Sequence, residues 1–136
     1  MKKNDTLRKS KTALAIIITL AVIIFIMTLT IDKNPHDMII EEDIIKIQQE
    51  EYQIKDINSI KIIEEIEDYS LNGAANDLFH IRGKCKINEE DIQMYIYKNK
   101  SPYIEIKLNN TKIIYNQENR KSTLEDYEKL EEYINK

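Results

Sequence analysis

Residues 103–115, "YIEIKLNNTKIIY", constrain the architecture of this chain more tightly than any other stretch. Apolar and polar residues alternate on both sides of Asn109-Asn110, as in two strands that each bury one face. A two-residue type I′ turn suits this pair, because asparagine tolerates positive φ. The resulting partners are Leu108 with Thr111, Ile106 with Ile113, and Ile104 with Tyr115. Apart from Ile114, the apolar residues then share one side, so a one-residue slip is disfavoured.

A second predicted hairpin comes just before it. The runs "LFHIRGKCKI", residues 78–87, and "DIQMYIYK", residues 91–98, both alternate. A four-residue loop at 88–91 pairs Ile87 with Ile92 and Cys85 with Met94, and the apolar faces then coincide. Residues 60–70, "IKIIEEIEDYS", fit a strand or a helix equally well. The turn pair that follows them, Asn72-Gly73, favours a strand.

Two helices are predicted around these strands. The spacing of isoleucines at 40, 44, 47 and 54 indicates an amphipathic helix over 36–54, and Asn34-Pro35 is typical of a helix start. At the C-terminus, Ser122 and Glu125 have the spacing of a capping box. The apolar stripe of that helix is Leu124, Tyr127, Leu130 and Ile134.

The predicted fold class is therefore α+β. It contains an N-terminal transmembrane helix, an amphipathic helix, an antiparallel meander of four to five strands and a C-terminal helix. Over residues 36–116 this order of elements resembles the cystatin-like and NTF2-like folds of small exported bacterial domains. The resemblance includes no diagnostic motif, so it implies a fold and no function.

The N-terminal apolar segment predicts a membrane anchor. The nineteen residues Ala13–Ile31 carry no charge, and as a helix they would span about 28 Å, close to the thickness of a bilayer's hydrocarbon core. A cleaved signal peptide has a shorter apolar region and a cleavage site with small residues, to which Thr28-Leu29-Thr30 is a poor match. A buried core helix is disfavoured, because the segment is apolar on every side.

Charge predicts the orientation and the division into domains. Five basic residues and one acid precede the segment, and positive charge stays on the cytoplasmic side. Residues 1–12 are then a cytoplasmic basic tail, 13–31 a single-pass signal anchor in the cell membrane, and 32–136 an extracytoplasmic α+β domain. Residues 32–136 hold 15 of the 20 basic and 23 of the 24 acidic residues, a net charge of −8. This net charge argues against nucleic acid as a partner.

No residue pattern predicts catalysis, a cofactor or a metal site. Cys85, the single cysteine, is interpreted as a small buried hydrophobic residue, with an intermolecular disulfide as the alternative. His36 and His80 have no partner at ligand spacing, and both are expected to be solvated. The acids of "EEIED", residues 64–68, lack calcium-loop spacing and are expected to form a solvated face. An enzyme is therefore not expected.

A basic face that carries tyrosines is the one candidate binding surface. If the meander alternates throughout, its polar face carries seven candidate binding residues together with His80 and Lys112. The seven are Arg82, Lys84, Lys86, Tyr95, Tyr97, Tyr103 and Lys107. Tyrosines provide contact area at low entropy cost, and cations steer anionic partners towards them. The alternative is an ordinary solvated sheet face, since tyrosine and lysine are both common there.

The function predicted from the sequence is a membrane-anchored, extracytoplasmic binding or interaction module. Besides the lipid bilayer, its expected partner is an envelope protein or an anionic cell-wall polymer. One alternative is a small extracytoplasmic hydrolase or redox protein, which would need His80 or Cys85 in a pocket beside a carboxylate. A structural subunit of a membrane complex is another alternative, although the apolar segment has no central pair of small residues at helical spacing.

Overall fold

The computed structural model describes residues 2–30 and 37–136. The chain divides into two compact units, Met1–Pro35 and His36–Lys136. The predicted helix start at Asn34-Pro35 and the histidine at position 36 lie outside the described residues.

The N-terminal unit is the helix α1, Lys2–Thr30. Its segment Asn4–Thr28 is long and apolar enough to cross a membrane, with a mean hydropathy of 2.4 over its most apolar 18 residues. The apolar side chains are exposed all around it, Ile24 and Phe25 included. Threonine hydroxyls donate back to their own helix, Thr12 to the carbonyl of Arg8 at 3.0 Å, Thr19 to that of Ala15 at 2.8 Å and Thr28 to that of Ile24. These bonds satisfy the threonine hydroxyls, which lipid tails could not do because they contain no hydrogen-bonding groups.

The C-terminal unit is built on a seven-stranded mixed sheet in the order β4-β9-β10-β8-β7-β5, with β6 also paired to β7. The strands are β4 Ile57–Ile63, β5 Tyr69–Leu71, β6 Ala75–Asn76, β7 His80–Ile87, β8 Glu90–Tyr97, β9 Tyr103–Leu108 and β10 Lys112–Tyr115. The predicted antiparallel meander of four to five strands is wrong, because β10 lies between β8 and β9 and runs parallel to β8.

The register of the 103–115 hairpin is confirmed. Ile106 pairs with Ile113 and Ile104 with Tyr115. The type I′ turn is wrong, since neither Asn109 nor Asn110 has a positive φ. Instead, the backbone N–H of Asn109 donates to the carbonyl of Asp56 at 3.1 Å, so a contact from outside the hairpin shapes the turn.

In the preceding hairpin the predicted register is wrong by two residues. Cys85 pairs with Ile92 rather than Met94. The loop is the two-residue turn Asn88-Glu89, in which both residues have positive φ, 49° and 69°. A shift of two residues preserves the faces, because the side-chain period of a strand is two. The residues on the apolar face of this hairpin were therefore predicted correctly, although their partners on the neighbouring strand were not.

The helix predicted over 36–54 is also wrong. A separate three-stranded antiparallel sheet occupies this region, in the order β1-β2-β3. Its strands are β1 Met38–Glu41, β2 Ile44–Ile47 and β3 Glu50–Gln53. Glu42 and Gln48 take positive φ in its two turns. With neither the helix nor the meander, the order of elements on which the cystatin-like and NTF2-like resemblance depended is not found.

Both faces of the large sheet are buried at its centre. The first core lies against β1–β3 and the C-terminal helix, and its buried residues include Ile45, Ile47, Tyr95, Ile104, Ile106, Ile113, Tyr115 and Leu130. The second core lies on the opposite face and includes Ile81, Cys85, Ile92, Met94, Ile96, Tyr103 and Ile114, with Ile63, Ile66 and Ala74 packed against it. Consecutive residues of the central strands therefore belong to different cores.

The C-terminal helix α2, Arg120–Ile134, is confirmed, but its cap is not the predicted one. The side chain of Asn119 accepts a hydrogen bond from the backbone N–H of Ser122 at 2.9 Å. Ser122 is thus the capped residue and not the cap. Leu130 of the predicted stripe is fully buried, and Tyr127 and Ile134 pack against the first core.

Candidate binding cleft

The structure divides the predicted basic face between the two sides of the sheet. Arg82 pairs with Tyr95, so these side chains share a side with the other alternate residues of β7, Lys84 and Lys86. Tyr97, opposite His80, lies on this side too. Tyr103 and Lys107 lie on the other side, with Ile114 and Met94. The sheet thus brings together five of the seven candidates and separates two.

The three candidate tyrosines are buried. Tyr95 belongs to the first core and Tyr103 to the second, and Tyr97 is 7% exposed. The Tyr95 hydroxyl lies 2.7 Å from that of Tyr52 on β3, so the small sheet covers it. The part of the predicted face open to solvent is a basic strip on β7, in which Lys84 is exposed and Arg82 and Lys86 are half-buried.

A cleft of about 680 Å³ opens on the opposite side, at the margin of the second core. Its apolar lining consists of Ile66, Tyr69, Leu71, Ile81, Ile96 and Tyr103. Its polar lining consists of Glu64, Glu65, Asn76, Lys98, Asn99 and Ser101. The lining is therefore mixed, with as many polar as apolar residues, and the volume is within the common range of small binding sites.

Residues 64–76 form one wall of the cleft, since they connect β4 at one edge of the sheet to β5 and β6 at the other. The backbone N–H groups of Asn72 and Ala74 both donate to the carbonyl of Lys84, at 3.0 and 3.1 Å. Gly83 permits this close approach, because a Cβ there would lie 3.2 Å from the Cα of Ala74, and its φ is +117°. At the other end of the wall, Arg120 at the start of α2 pairs with Glu64 at 3.2 Å.

Burial controls the chemistry of the two tyrosines in the cleft. It raises the pKa of the Tyr69 phenol, and it raises the pKa of the Tyr103 phenol, although a backbone contact at Lys100 opposes the second shift. Both phenols are therefore neutral at physiological pH and can donate and accept hydrogen bonds. Glu64 and Glu65 against Lys98 give the rim both signs of charge.

Tyr69, Leu71 and Ile66 were not predicted as site residues from the sequence. One signal was available, since Tyr69 and Leu71 alternate with polar residues just before the Asn72-Gly73 turn. Alternation predicts a strand with one apolar face, but it does not show that the strand lies at the edge of a sheet with that face beside a cleft. Among the seven predicted candidates, the cleft uses only Tyr103.

The groups best suited to catalysis do not line the cleft. His80 Nδ1 lies 3.1 Å from the Asp77 carboxylate, but that carboxylate also accepts the backbone N–H groups of Phe79 and His80, as in a turn cap. Cys85 is a free, fully buried thiol whose pKa is raised by burial, as expected of a structural cysteine. Across residues 2–30 and 37–136, no cluster of histidine, cysteine or acidic side chains has a metal-binding arrangement.

Comparison of the chain with protein-family models, curated proteins and solved structures found no match.

Proposed function

We propose that this protein is a membrane-anchored, extracytoplasmic binding module and that the cleft is its binding site. The observation that carries the proposal is the cleft itself, a site of about 680 Å³ with isoleucine and tyrosine beside polar groups of both charges. Helix α1 supports the anchoring, because its exposed apolar surface has the length of a membrane span.

The proposed ligand is a short extended segment of an envelope protein. The exposed part of the apolar lining, Tyr69 and Leu71 together with the half-buried Ile66, offers contact area to an apolar or aromatic side chain. The mixed rim provides partners for backbone amides and for charged neighbours of that side chain. A polyanion suits the cleft poorly, since Glu64 and Glu65 lie on its rim.

Anchoring makes weak binding effective. A module confined near a membrane encounters partners in the same membrane at high effective concentration. A small cleft is then sufficient, although a contact of its size would give only modest affinity in free solution.

Site-specific photocrosslinking in intact cells tests the proposal. A photoreactive phenylalanine analogue replaces Leu71 in the cleft wall, or Ile39 on β1 as a matched control, since both are half-exposed apolar strand residues. We expect an adduct with a distinct envelope protein from position 71 and not from position 39. Asn76→Trp, which narrows the cleft, should abolish the adduct while thermal unfolding stays unchanged. The same adducts from both positions, or an adduct that survives Asn76→Trp, would contradict the proposal.

A further inference from the structure

The turn before β7 exposes two large apolar side chains side by side. Leu78 is 79% exposed and Phe79 is 63% exposed, the highest values among the large hydrophobic residues of the C-terminal unit that the structure describes. The alternation of residues 78–87 would place Phe79 on the same side as the buried Ile81, yet its side chain is exposed. Adjacent apolar residues at a loop tip are a common feature of surfaces that contact a partner or a lipid bilayer.

Hydrogen bonds hold this tip in a fixed shape. The carboxylate of Asp77 accepts the backbone N–H groups of Phe79 and His80, each at 2.8 Å. The carbonyl of Asp77 accepts the Lys98 ammonium at 2.6 Å, and the carbonyl of Phe79 accepts the backbone N–H of Lys98 at 2.8 Å. The polar backbone of the turn is largely satisfied internally, which lowers the cost of placing it against lipid.

The charges around the tip favour an anionic surface. Arg82 lies 3.5 Å from Asp77 and offsets the one carboxylate of the turn. Partial burial would raise the pKa of Asp77, but the hydrogen bonds from Phe79 and His80 outweigh it and lower the pKa, so the turn keeps its cap at physiological pH. Lys98 adds a further cation, and Lys100 lies two residues on. Basic residues next to exposed apolar ones are typical of contact with anionic headgroups.

We propose that Leu78 and Phe79 insert into the interfacial layer of an anionic bilayer, the membrane in which α1 is anchored. The inference depends on the anchoring part of the proposed function. Insertion of this tip would give the C-terminal unit a second attachment to the membrane and so restrict its orientation.

Fluorescence of the full-length chain in lipid vesicles tests this insertion. In a Cys85→Ser background, a single cysteine at position 78 carries an environment-sensitive fluorophore, and vesicles contain phosphatidylglycerol with nitroxide-labelled acyl chains. We expect emission at shorter wavelength and quenching by the nitroxide. Both effects should weaken in vesicles of phosphatidylcholine alone. Phe79→Ser should weaken them as well, because it removes half of the apolar tip.

Two further labelling sites make the result decisive. Position 110 lies in another exposed turn and should show neither effect, whereas position 21 within α1 should be quenched whether or not the tip inserts. Quenching at 21 without quenching at 78 would overturn the insertion and leave the anchor intact. A shorter wavelength at 78 without nitroxide quenching would also overturn it, since the fluorophore would then be in contact with protein.

Discussion

The side chain of Tyr115 connects three elements of the C-terminal unit. Its hydroxyl donates to Asp126 of α2 at 2.7 Å and accepts the backbone N–H of Met38 on β1 at 3.2 Å. Gln117 donates to the same hydroxyl at 2.6 Å and to Asp126 at 2.9 Å. Since Tyr115 is fully buried, water could not easily take the place of its hydroxyl. Loss of the hydroxyl would therefore leave these groups without one of their hydrogen-bond partners.

We expect Tyr115→Phe to lower the free energy of unfolding by about 1–3 kcal/mol, because it keeps the ring and removes only the shared hydroxyl. Urea unfolding followed by circular dichroism measures the change. Tyr133→Phe is the control, since that tyrosine is half-exposed near the C-terminus and should change stability by less than about 0.5 kcal/mol. Equal effects of the two variants would show that the network contributes little.

Alkaline pH should destabilise the protein through its buried phenols. Burial raises the pKa of Tyr95 above the ordinary value of about 10, and the hydrogen bond with Tyr52 raises it further. The folded chain therefore holds this proton at a pH where the unfolded chain has lost it. The corresponding stability is fully present below about pH 10 and is lost as the pH rises beyond that value.

The Tyr95→Phe variant isolates this effect. Above pH 10, its free energy of unfolding should fall less steeply than that of the wild type, by about 1.4 kcal/mol per pH unit for one proton. Denaturant titrations at pH 8.0, 9.5, 10.5 and 11.0 measure the two slopes. Parallel curves for wild type and variant would contradict the assignment, because Tyr95 would then titrate alike in both states.

Among the strands, the turn Asn88-Glu89 shows how loop length determines register. Both residues have positive φ, which asparagine tolerates and glutamate does not favour. Sequence reasoning placed the type I′ geometry in the other hairpin, at Asn109-Asn110, because both residues there are asparagine. This prediction did not take into account the hydrogen bond from the backbone N–H of Asn109 to the carbonyl of Asp56, which lies 53 residues earlier in the chain.

Glycine substitutions distinguish the two turns. Glu89→Gly should raise the free energy of unfolding by about 0.5–1 kcal/mol, since Asn-Gly is the preferred type I′ pair. Asn110→Gly should lower it by up to about 1 kcal/mol, because glycine there adds only unfolded-state entropy. Thermal or urea unfolding measures both. A gain from Asn110→Gly and a loss from Glu89→Gly would reverse the assignment of the two turns.

The cap of α2 offers a similarly matched pair. Asn119→Ala should cost about 1 kcal/mol, because it leaves the backbone N–H of Ser122 without its partner. Ser122→Ala should cost less than about 0.5 kcal/mol, since only the backbone of that residue takes part in the cap. Equilibrium unfolding of both variants measures the difference. A larger cost for Ser122→Ala would restore the capping box predicted from the sequence.

The error over residues 36–54 has a physical origin. Isoleucines at 40, 44 and 47 match a helical period, but strands of four residues joined by two-residue turns also bring apolar residues back at short intervals. Isoleucine is β-branched and favours strands, and an amphipathic helix in a protein gains most of its stability from tertiary packing. Local spacing therefore did not separate the two structures. The burial of Ile45 and Ile47 against the large sheet favours the strands.

At the scale of the whole C-terminal unit, only local features could be predicted from the sequence. The strand faces, one hairpin register and the terminal helix follow from short-range alternation and spacing. The parallel pairing of β10 with β8 does not follow from such patterns. It depends on which strands meet in the folded sheet, and β9 separates β8 from β10 along the chain. That pairing places Ile113 beside Gln93, so the apolar faces of the two hairpins lie on opposite sides of the sheet. It is also why Tyr103 and Lys107 are separated from Arg82.

This separation makes the basic strip testable. Anionic cell-wall polymer is the other partner predicted from the sequence. If it binds at the strip, Arg82→Glu combined with Lys84→Glu should weaken that binding by about tenfold, or about 1.4 kcal/mol. Lys107→Glu combined with Lys112→Glu changes the net charge equally on the opposite face and should have a much smaller effect. Cosedimentation with purified wall at low ionic strength measures both. Equal losses would mean that net charge, and not the strip, governs the interaction.

The position of β10 limits the routes by which this protein can fold. Residues 103–115 form a hairpin by local contacts, yet one arm of it must find β8 from a distance before the sheet is continuous. Until that arm docks, β7 and β8 on one side and β4 and β9 on the other remain two separate pieces with open edges. A chain emerging slowly from a ribosome or a translocation channel would pass through such a state, in which unpaired edges are prone to associate with other chains.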